Sequence, residues 1–267
     1  MNAIKQSFCL PCFCDIADEG DVLKTIRTAA EIGFRGTEIW FRENAPFDLI
    51  CEAASDHGLT VACICGHESL TDGLNRPENH ERIRSELSVS IELAAERDIP
   101  NLICFSGNRG EADDEEAIEI VAEGLRRVAP AAEAAGVTLV IELLNSKVNH
   151  PGYQADHTAW GVEVARAVDS PAVKLLYDIY HMQIMEGDLC RTISDSIAHI
   201  GHFHTAGNPG RKDLDTEQEI NYPAVMRTIA ASGYTGFVAH EFRPKGDLLR
   251  GLEAAFRTCD VESGNRE

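Results

Sequence analysis

A single-domain (β/α)8 barrel of the TIM class is the fold that this sequence predicts, on three observations. Eight short apolar or β-branched segments alternate with polar loops and amphipathic stretches, at roughly 30 residues per unit. Several amphipathic stretches stop at a glycine just before the next strand. Four consecutive strand segments, the last four, each end in a residue of metal-ligand type.

Taken in order, the strand candidates are 5–13 (KQSFCLPCF), 36–40 (GTEIW), 60–67 (TVACICGH), 101–107 (NLICFSG) and 138–145 (TLVIELLN), then 173–181 (VKLLYDIYH), 200–207 (IGHFHTAG) and 236–244 (GFVAHEFRP). Between them, DVLKTIRTAAEIGF places apolar residues near i, i+3, i+4 and i+7, as an amphipathic helix requires. ENHERIRSELSVSIELAAERD and EEAIEIVAEGLRRVAPAAEAAG read as helices in the same way. Gly33, Gly58, Gly136 and Gly233 stand where left-handed helix caps are expected. An open doubly wound sheet is the structural alternative. It loses its usual support because no G-x-G-x-x-G follows the first strand and no Walker A sequence exists.

Length and composition fit one domain. A chain of 267 residues matches the roughly 250 typical of such barrels, with the core expected over about 5–258 and a short tail beyond. No apolar run reaches the ~18 residues of a membrane span, and MNAIKQSFCLPCFC has the wrong flanks for a secretory leader. The expectation is a soluble cytoplasmic protein, with homo-oligomerisation left open. The formal charge of −20, from 44 acidic and 24 basic residues, repels polyanions, so nucleic-acid partners are not expected. Nine cysteines, an odd number in a chain of this size, suit reduced thiols. In an unbroken strand Cys12 and Cys14 would share a face and Cys9 would point the other way. Buried barrel-wall thiols are therefore expected rather than a thiolate metal site.

The chemistry lies in the second half. Alternation puts Val140, Glu142 and Leu144 on one face, Leu176 with Asp178, His202 with His204, and Phe237 and Ala239 with Glu241. The intervals from 142 to 178 to 204 to 241 are 36, 26 and 37 residues, each about one βα unit. Adjacent strands would thus converge Glu142, Asp178, His204 and Glu241. Each acid taken alone could simply cap a loop, but four in succession describe a cation site. Three carboxylates and one imidazole suit Mg²⁺ or Mn²⁺ and leave Co²⁺ or Fe²⁺ open. A cation there would chelate neighbouring oxygens of a small-molecule substrate while flanking carboxylates move protons.

Other polar residues carry weaker signals. His67 ends the third strand and could reach substrate or cap its loop. Lys147 and His150 follow the fifth strand and could meet a substrate carboxylate or stay solvated. Glu38 on the second strand is supported by no motif. His240 faces away from Glu241 and reads as structural, His202 reads as a core or supporting histidine, and Trp40 and Phe41 read as packing.

The segments YDIYHMQIMEGDL, IGHFHTAGNPGR, EINY and GFVAHEF resemble the hydroxypyruvate isomerase family, within the sugar isomerase/epimerase barrel superfamily that also holds ketose 3-epimerases and endonuclease IV-like enzymes. The resemblance is detailed over about 138–244 and only architectural before that. It implies an aldose–ketose isomerase acting on a small hydroxy-carbonyl acid through an enediolate. Glu142 and Glu241 would be the acid/base pair, within the metal set Glu142, Asp178, His204 and Glu241. His181 would contact substrate and Arg211, closing the NPGR loop, would grip its far end. The sequence departs from the family pattern in carrying His204 where many hydroxypyruvate isomerases carry Gln and ketose epimerases carry His. QSFCLPCF also lacks the usual Asn-containing first strand. A ketose or sugar-acid epimerase is therefore the alternative, and an endonuclease IV-like repair enzyme the remote one.

Overall fold

The computed structural model describes residues 4–261, so the first three residues and the end of the expected C-terminal tail lie outside the described residues. Among the described residues there are eight strands: β1 (Lys5–Phe8), β2 (Gly36–Glu38), β3 (Thr60–Cys65), β4 (Asn101–Cys104), β5 (Thr138–Glu142), β6 (Val173–Asp178), β7 (Ile200–Thr205) and β8 (Phe237–His240). They form one sheet in the order β1-β8-β7-β6-β5-β4-β3-β2. Registered pairs are parallel, among them Gln6 with Val238, Leu102 with Leu139 and Ile141 with Leu175. A parallel bridge from Cys9 to Glu38 joins the two edge strands, which gives the (β/α)8 barrel.

The strands are shorter than the apolar runs that announced them, each for a local reason. Pro11 sits in the first turn of a 3-10 segment (Leu10–Cys12), so the first strand stops at Phe8 instead of reaching 13. Cys9, Cys12 and Cys14 therefore do not follow the strand alternation expected of them. Burial pushes the thiols of Cys9 and Cys104 up, and that of Cys14 to about 12, which leaves them as neutral apolar filler. All nine cysteines are unbridged.

Two compact units make up the chain. The first comprises Met1–Ala62, Asp188–Ile197 and Phe203–Glu267. Within it, α1 (Glu19–Ile32) starts at Asp18, whose carboxylate accepts from the amides of Gly20 and Asp21. It ends at Gly33, whose φ of 120° excludes most side chains. α2 (Phe47–Asp56), α8 (Leu189–Ser196), α9 (Tyr222–Ala231) and α10 (Leu248–Cys259) complete this unit. Gly36 lets β2 lie close to its neighbours, because a Cβ there would meet Phe237 at 2.9 Å and Ser7 Cβ at 3.0 Å. Edge-to-face contacts of Phe8 with Phe34 at 5.3 Å, and of Phe13 with Phe242 at 5.2 Å, fill the core behind β1 and β8.

The second unit comprises Cys63–Gly187 and Ala198–His202, with α3 (His80–Glu96), α4 (Asp114–Arg126), α5 (Ala129–Ala135), α6 (Thr158–Val168) and α7 (Ile179–Met185). The single helix expected over 115–136 is two, because Pro130 occupies the first turn of α5 and can only begin a helix there. Asp113 caps α4, and Asp114, Glu115 and Glu116 in its first turn oppose the helix dipole. The apolar run at 173–181 likewise splits at Asp178, which ends β6 and caps α7. No helix among the described residues is long and apolar enough to cross a membrane.

Candidate metal and proton-transfer site

In the second unit, Glu142 is the last residue of β5 and is buried. Tyr153, fully buried, donates its hydroxyl to the Glu142 carbonyl at 3.1 Å and accepts from Ser106 N, which fixes the backbone that carries the carboxylate. Asp178 Oδ1 accepts the His181 amide at 3.0 Å, so the capping role available to any strand-end acid is real here, though it uses one oxygen. Asp178 Oδ2 lies 3.7 Å from His181 Nε2. His181 Nδ1 accepts from Asn145 N at 3.0 Å, and the proton of a neutral ring therefore sits on Nε2, the Asp178 side.

In the first unit, His204 near the end of β7 stands between two carboxylates. Its Nδ1 is 3.2 Å from Glu241 Oε2 and its Nε2 is 3.1 Å from Glu38 Oε2. Glu241 follows the last residue of β8 and has two further partners. Trp40 Nε1 donates to Oε1 at 2.7 Å and Arg211 Nη2 donates to Oε2 at 2.5 Å. Burial works against the charge on Glu241, but Arg211 and then His204 hold its carboxyl well below the usual range.

Arg211 sits in a hairpin closed by hydrogen bonds between Gly207 and Lys212. Its φ of 54° is left-handed, a conformation that costs a non-glycine residue on the order of 1–3 kcal/mol and that clusters at functional sites. A cavity of about 630 Å³, within the range of small-molecule pockets, is lined by Asp15, Asp21, Ile39, Trp40, Phe41 and Arg243. Trp40 belongs both to this cavity and to the Glu241 carboxylate.

Ligand atoms of Glu142, Asp178, His204 and Glu241 lie within 4.8 Å of one another, and all four residues are buried. Buried carboxylates gathered this closely repel unless a cation offsets them. The donor set, three hard oxygen ligands and one imidazole, fits a divalent cation of the Mg²⁺ or Mn²⁺ kind.

The other expected residues have the following placements. His67 is buried, and its Nε2 accepts the Phe105 amide at 2.9 Å. Burial chiefly, with Arg82 adding, lowers its pKa to about 3, so the ring is neutral. Lys147 Nζ donates to the carbonyls of Ile184 and Met185, at 3.0 and 3.1 Å, and so caps the C-terminal end of α7. The His150 ring lies 5.4 Å from that of His181. His240 bonds Thr205 and Gln6, away from Glu241. Glu38 and Trp40 are the residues that sequence reasoning undervalued. Alternation could have flagged Glu38 as one more buried strand-end acid, whereas nothing in the sequence announces the indole–carboxylate bond.

The family model described as "Xylose isomerase-like TIM barrel" matches residues 26–259. A 2-oxo-tetronate isomerase of Cupriavidus necator is 35% identical, over 88% of this chain and 92% of its own. The hydroxypyruvate isomerase of Escherichia coli is 30% identical over the same shares. Among solved structures, an AP endonuclease, family 2, from Brucella melitensis superposes with a TM-score of 0.84 at 28% identity, covering 97% of this chain and 100% of its own.

Proposed function

The chain belongs to the xylose isomerase-like TIM-barrel family and is an isomerase, and we propose that it interconverts a small 2-keto-3-hydroxy acid and its aldehyde isomer with the help of a divalent cation. The observation that carries this reading is the group of four buried ligand atoms from Glu142, Asp178, His204 and Glu241 within 4.8 Å. A divalent cation bound by these residues would polarise the substrate carbonyl and offset the negative charge that builds on adjacent oxygens.

The protein's own groups do the rest. One glutamate of the pair Glu142 and Glu241 takes a proton from the hydroxyl-bearing carbon, giving an enediolate. A proton then returns to the neighbouring carbon while the hydroxyl proton passes from one oxygen to the other, so that the carbonyl has moved by one position. Arg211 and His204 keep Glu241 ionised and therefore able to act as a base. Trp40 holds the carboxylate in one orientation. His181, with its ring fixed by Asn145 and its Nε2 proton on the Asp178 side, would donate to a substrate oxygen. Arg211, whose planar fork suits a carboxylate, would face the acid group of the substrate.

His204 favours the alternative reading of an epimerase, since the resembling hydroxypyruvate isomerases often carry Gln there. Epimerisation would return the proton to the same carbon from the opposite face. An enzyme on DNA would need a basic groove, which a charge of −20 opposes. We place the protein in the cytoplasm with a small-molecule substrate. The deciding experiment is a substrate screen with Mn²⁺ that reads carbonyl migration and C3 inversion separately. Carbonyl migration on hydroxypyruvate-type acids supports the proposal, and inversion alone replaces it with the epimerase.

A further inference from the structure

Glu38, which no motif singled out, faces His204 on its Nε2 side. Both residues are buried, and Glu38 Oε2 lies 3.1 Å from His204 Nε2. The other oxygen, Oε1, accepts the Ser7 hydroxyl at 2.6 Å. Gly36, two residues earlier, permits the close strand approach that brings Ser7 and Glu38 together. We infer that Glu38, braced by Ser7, is a positioning residue that sets the tautomer and the aim of the metal-binding imidazole.

The chemistry is one of donors and acceptors. An ionised carboxylate only accepts, and His204 faces one at each ring nitrogen; were a cation to take the Nδ1 lone pair, the contact with Glu38 would keep the imidazole proton on Nε2. Nδ1, 3.2 Å from Glu241 Oε2, would then be the nitrogen that offers its lone pair to the cation. A carboxylate behind a ligating histidine raises its basicity and stops the ring from rotating, and loss of such a partner typically weakens metal binding about 10–100-fold. Ser7 in turn limits Glu38 to one geometry.

A competing use of the same residues is a second cation site, because ligand atoms of Glu38, His202 and His204 also lie within 4.8 Å of one another. A neutral imidazole has a single lone pair, however, so His204 cannot serve both groups at once. Glu38 Oε1 is also occupied by the Ser7 hydroxyl. The arrangement is that of a brace.

The inference rests on the metal-dependent reading proposed above, and the experiment separates the two. Mn²⁺ stoichiometry and Kd are measured by chelator competition on the purified full chain, Glu38→Gln and Ser7→Ala, with the melting temperature of each apo protein as a control for folding. One Mn²⁺ per chain is expected in wild type. Kd should rise about 10–100-fold in Glu38→Gln and about threefold in Ser7→Ala, while kcat at saturating Mn²⁺ falls far less than the affinity. Ser7→Ala, a smaller change, keeps the test alive if Glu38→Gln does not fold. An unchanged Kd in both variants overturns the inference and leaves the metal reading standing. Two Mn²⁺ per chain in wild type, falling to one in Glu38→Gln, replaces the brace with a second site. No Mn²⁺ bound by wild type overturns both.

Discussion

Arg211 and Glu241 form a direct ion pair, with Nη2 donating to Oε2 at 2.5 Å and Glu241 almost fully buried. The arginine expected to grip the substrate is thus also the main counter-charge of a proposed proton-transfer carboxylate. Its left-handed backbone aims it there from a tight hairpin. An arginine serving the base should matter for every substrate. Arg211→Ala should therefore lower kcat on any turned-over substrate by about tenfold, the equivalent of a lost charge-assisted contact. Arg211→Lys, which keeps the charge without the fork, should recover part of it. Steady-state kinetics on the three proteins check this, and a kcat unchanged in Arg211→Ala would show the pair to be incidental.

The two glutamates should be indispensable in a way the remaining ligands are not. Glu142→Gln and Glu241→Gln are each expected to reduce kcat by about 10²-fold or more, even with Mn²⁺ bound. Asp178→Asn should act mainly through weaker cation binding and be partly rescued by excess Mn²⁺. Metal content measured alongside turnover separates these cases. Near-normal turnover by either metal-loaded glutamine variant would end the two-carboxylate mechanism.

Trp40 offers a finer test, because its Nε1 makes the hydrogen bond to Glu241 Oε1 while its ring lines the neighbouring cavity. Trp40→Phe keeps an aromatic wall and removes the donor. A neighbouring hydrogen bond to a charged group contributes about 1.5–3 kcal/mol, so kcat should fall about tenfold with little change in melting temperature. A fall confined to KM would assign Trp40 to substrate packing alone.

Much of this was legible in the sequence because barrels repeat. Strand-end positions of Glu142, Asp178, His204 and Glu241 follow from alternation and from intervals of one βα unit, which is why simple periodicity singled out four residues whose ligand atoms lie within 4.8 Å of one another. Pro11 and Asp178 cut their strands short through local rules, ring closure at one and side-chain capping at the other, which an apolar run conceals. Glu38, Ser7 and Trp40 lie in the first 40 residues, far in sequence from their partners His204 and Glu241. Their roles come from the pairing of β1 with β8 and the Cys9–Glu38 bridge, contacts that a linear pattern does not encode. Lys147 looked like a substrate-facing cation, yet the carbonyls at the end of α7 are its partners.

Stability should depend on acid through His67. Burial lowers its folded pKa to about 3, against 6.5 for an exposed imidazole. Between those values the unfolded chain binds the proton and the folded chain does not. Stability from this group is fully present above about pH 6.5 and is lost as pH falls towards 3, at up to about 1.4 kcal/mol per pH unit. His67→Gln, whose amide oxygen can accept the Phe105 amide in place of Nε2, should show a shallower loss between pH 6.5 and 4.5 in urea unfolding. Parallel curves for the two proteins would place the acid sensitivity elsewhere.

Substrate class is the prediction with the widest consequence. The planar fork of the Arg211 guanidinium, which pairs with the Glu241 carboxylate, has a geometry that matches a substrate carboxylate as well. A neutral ketose would leave this fork unmatched, whereas a small hydroxy-keto acid would pair with it. Wild type should therefore turn over hydroxypyruvate or a four-carbon analogue with higher kcat/KM than fructose or tagatose. Arg211→Ala should penalise the acid by about tenfold more than the ketose, the added loss of one charge-assisted contact of about 1.5–3 kcal/mol. Side-by-side kinetics with both substrate types and both proteins read the two effects separately. If wild type prefers the neutral sugars, the acid assignment fails and the site is that of a ketose epimerase. Equal penalties in Arg211→Ala would instead confine the arginine to its partnership with Glu241.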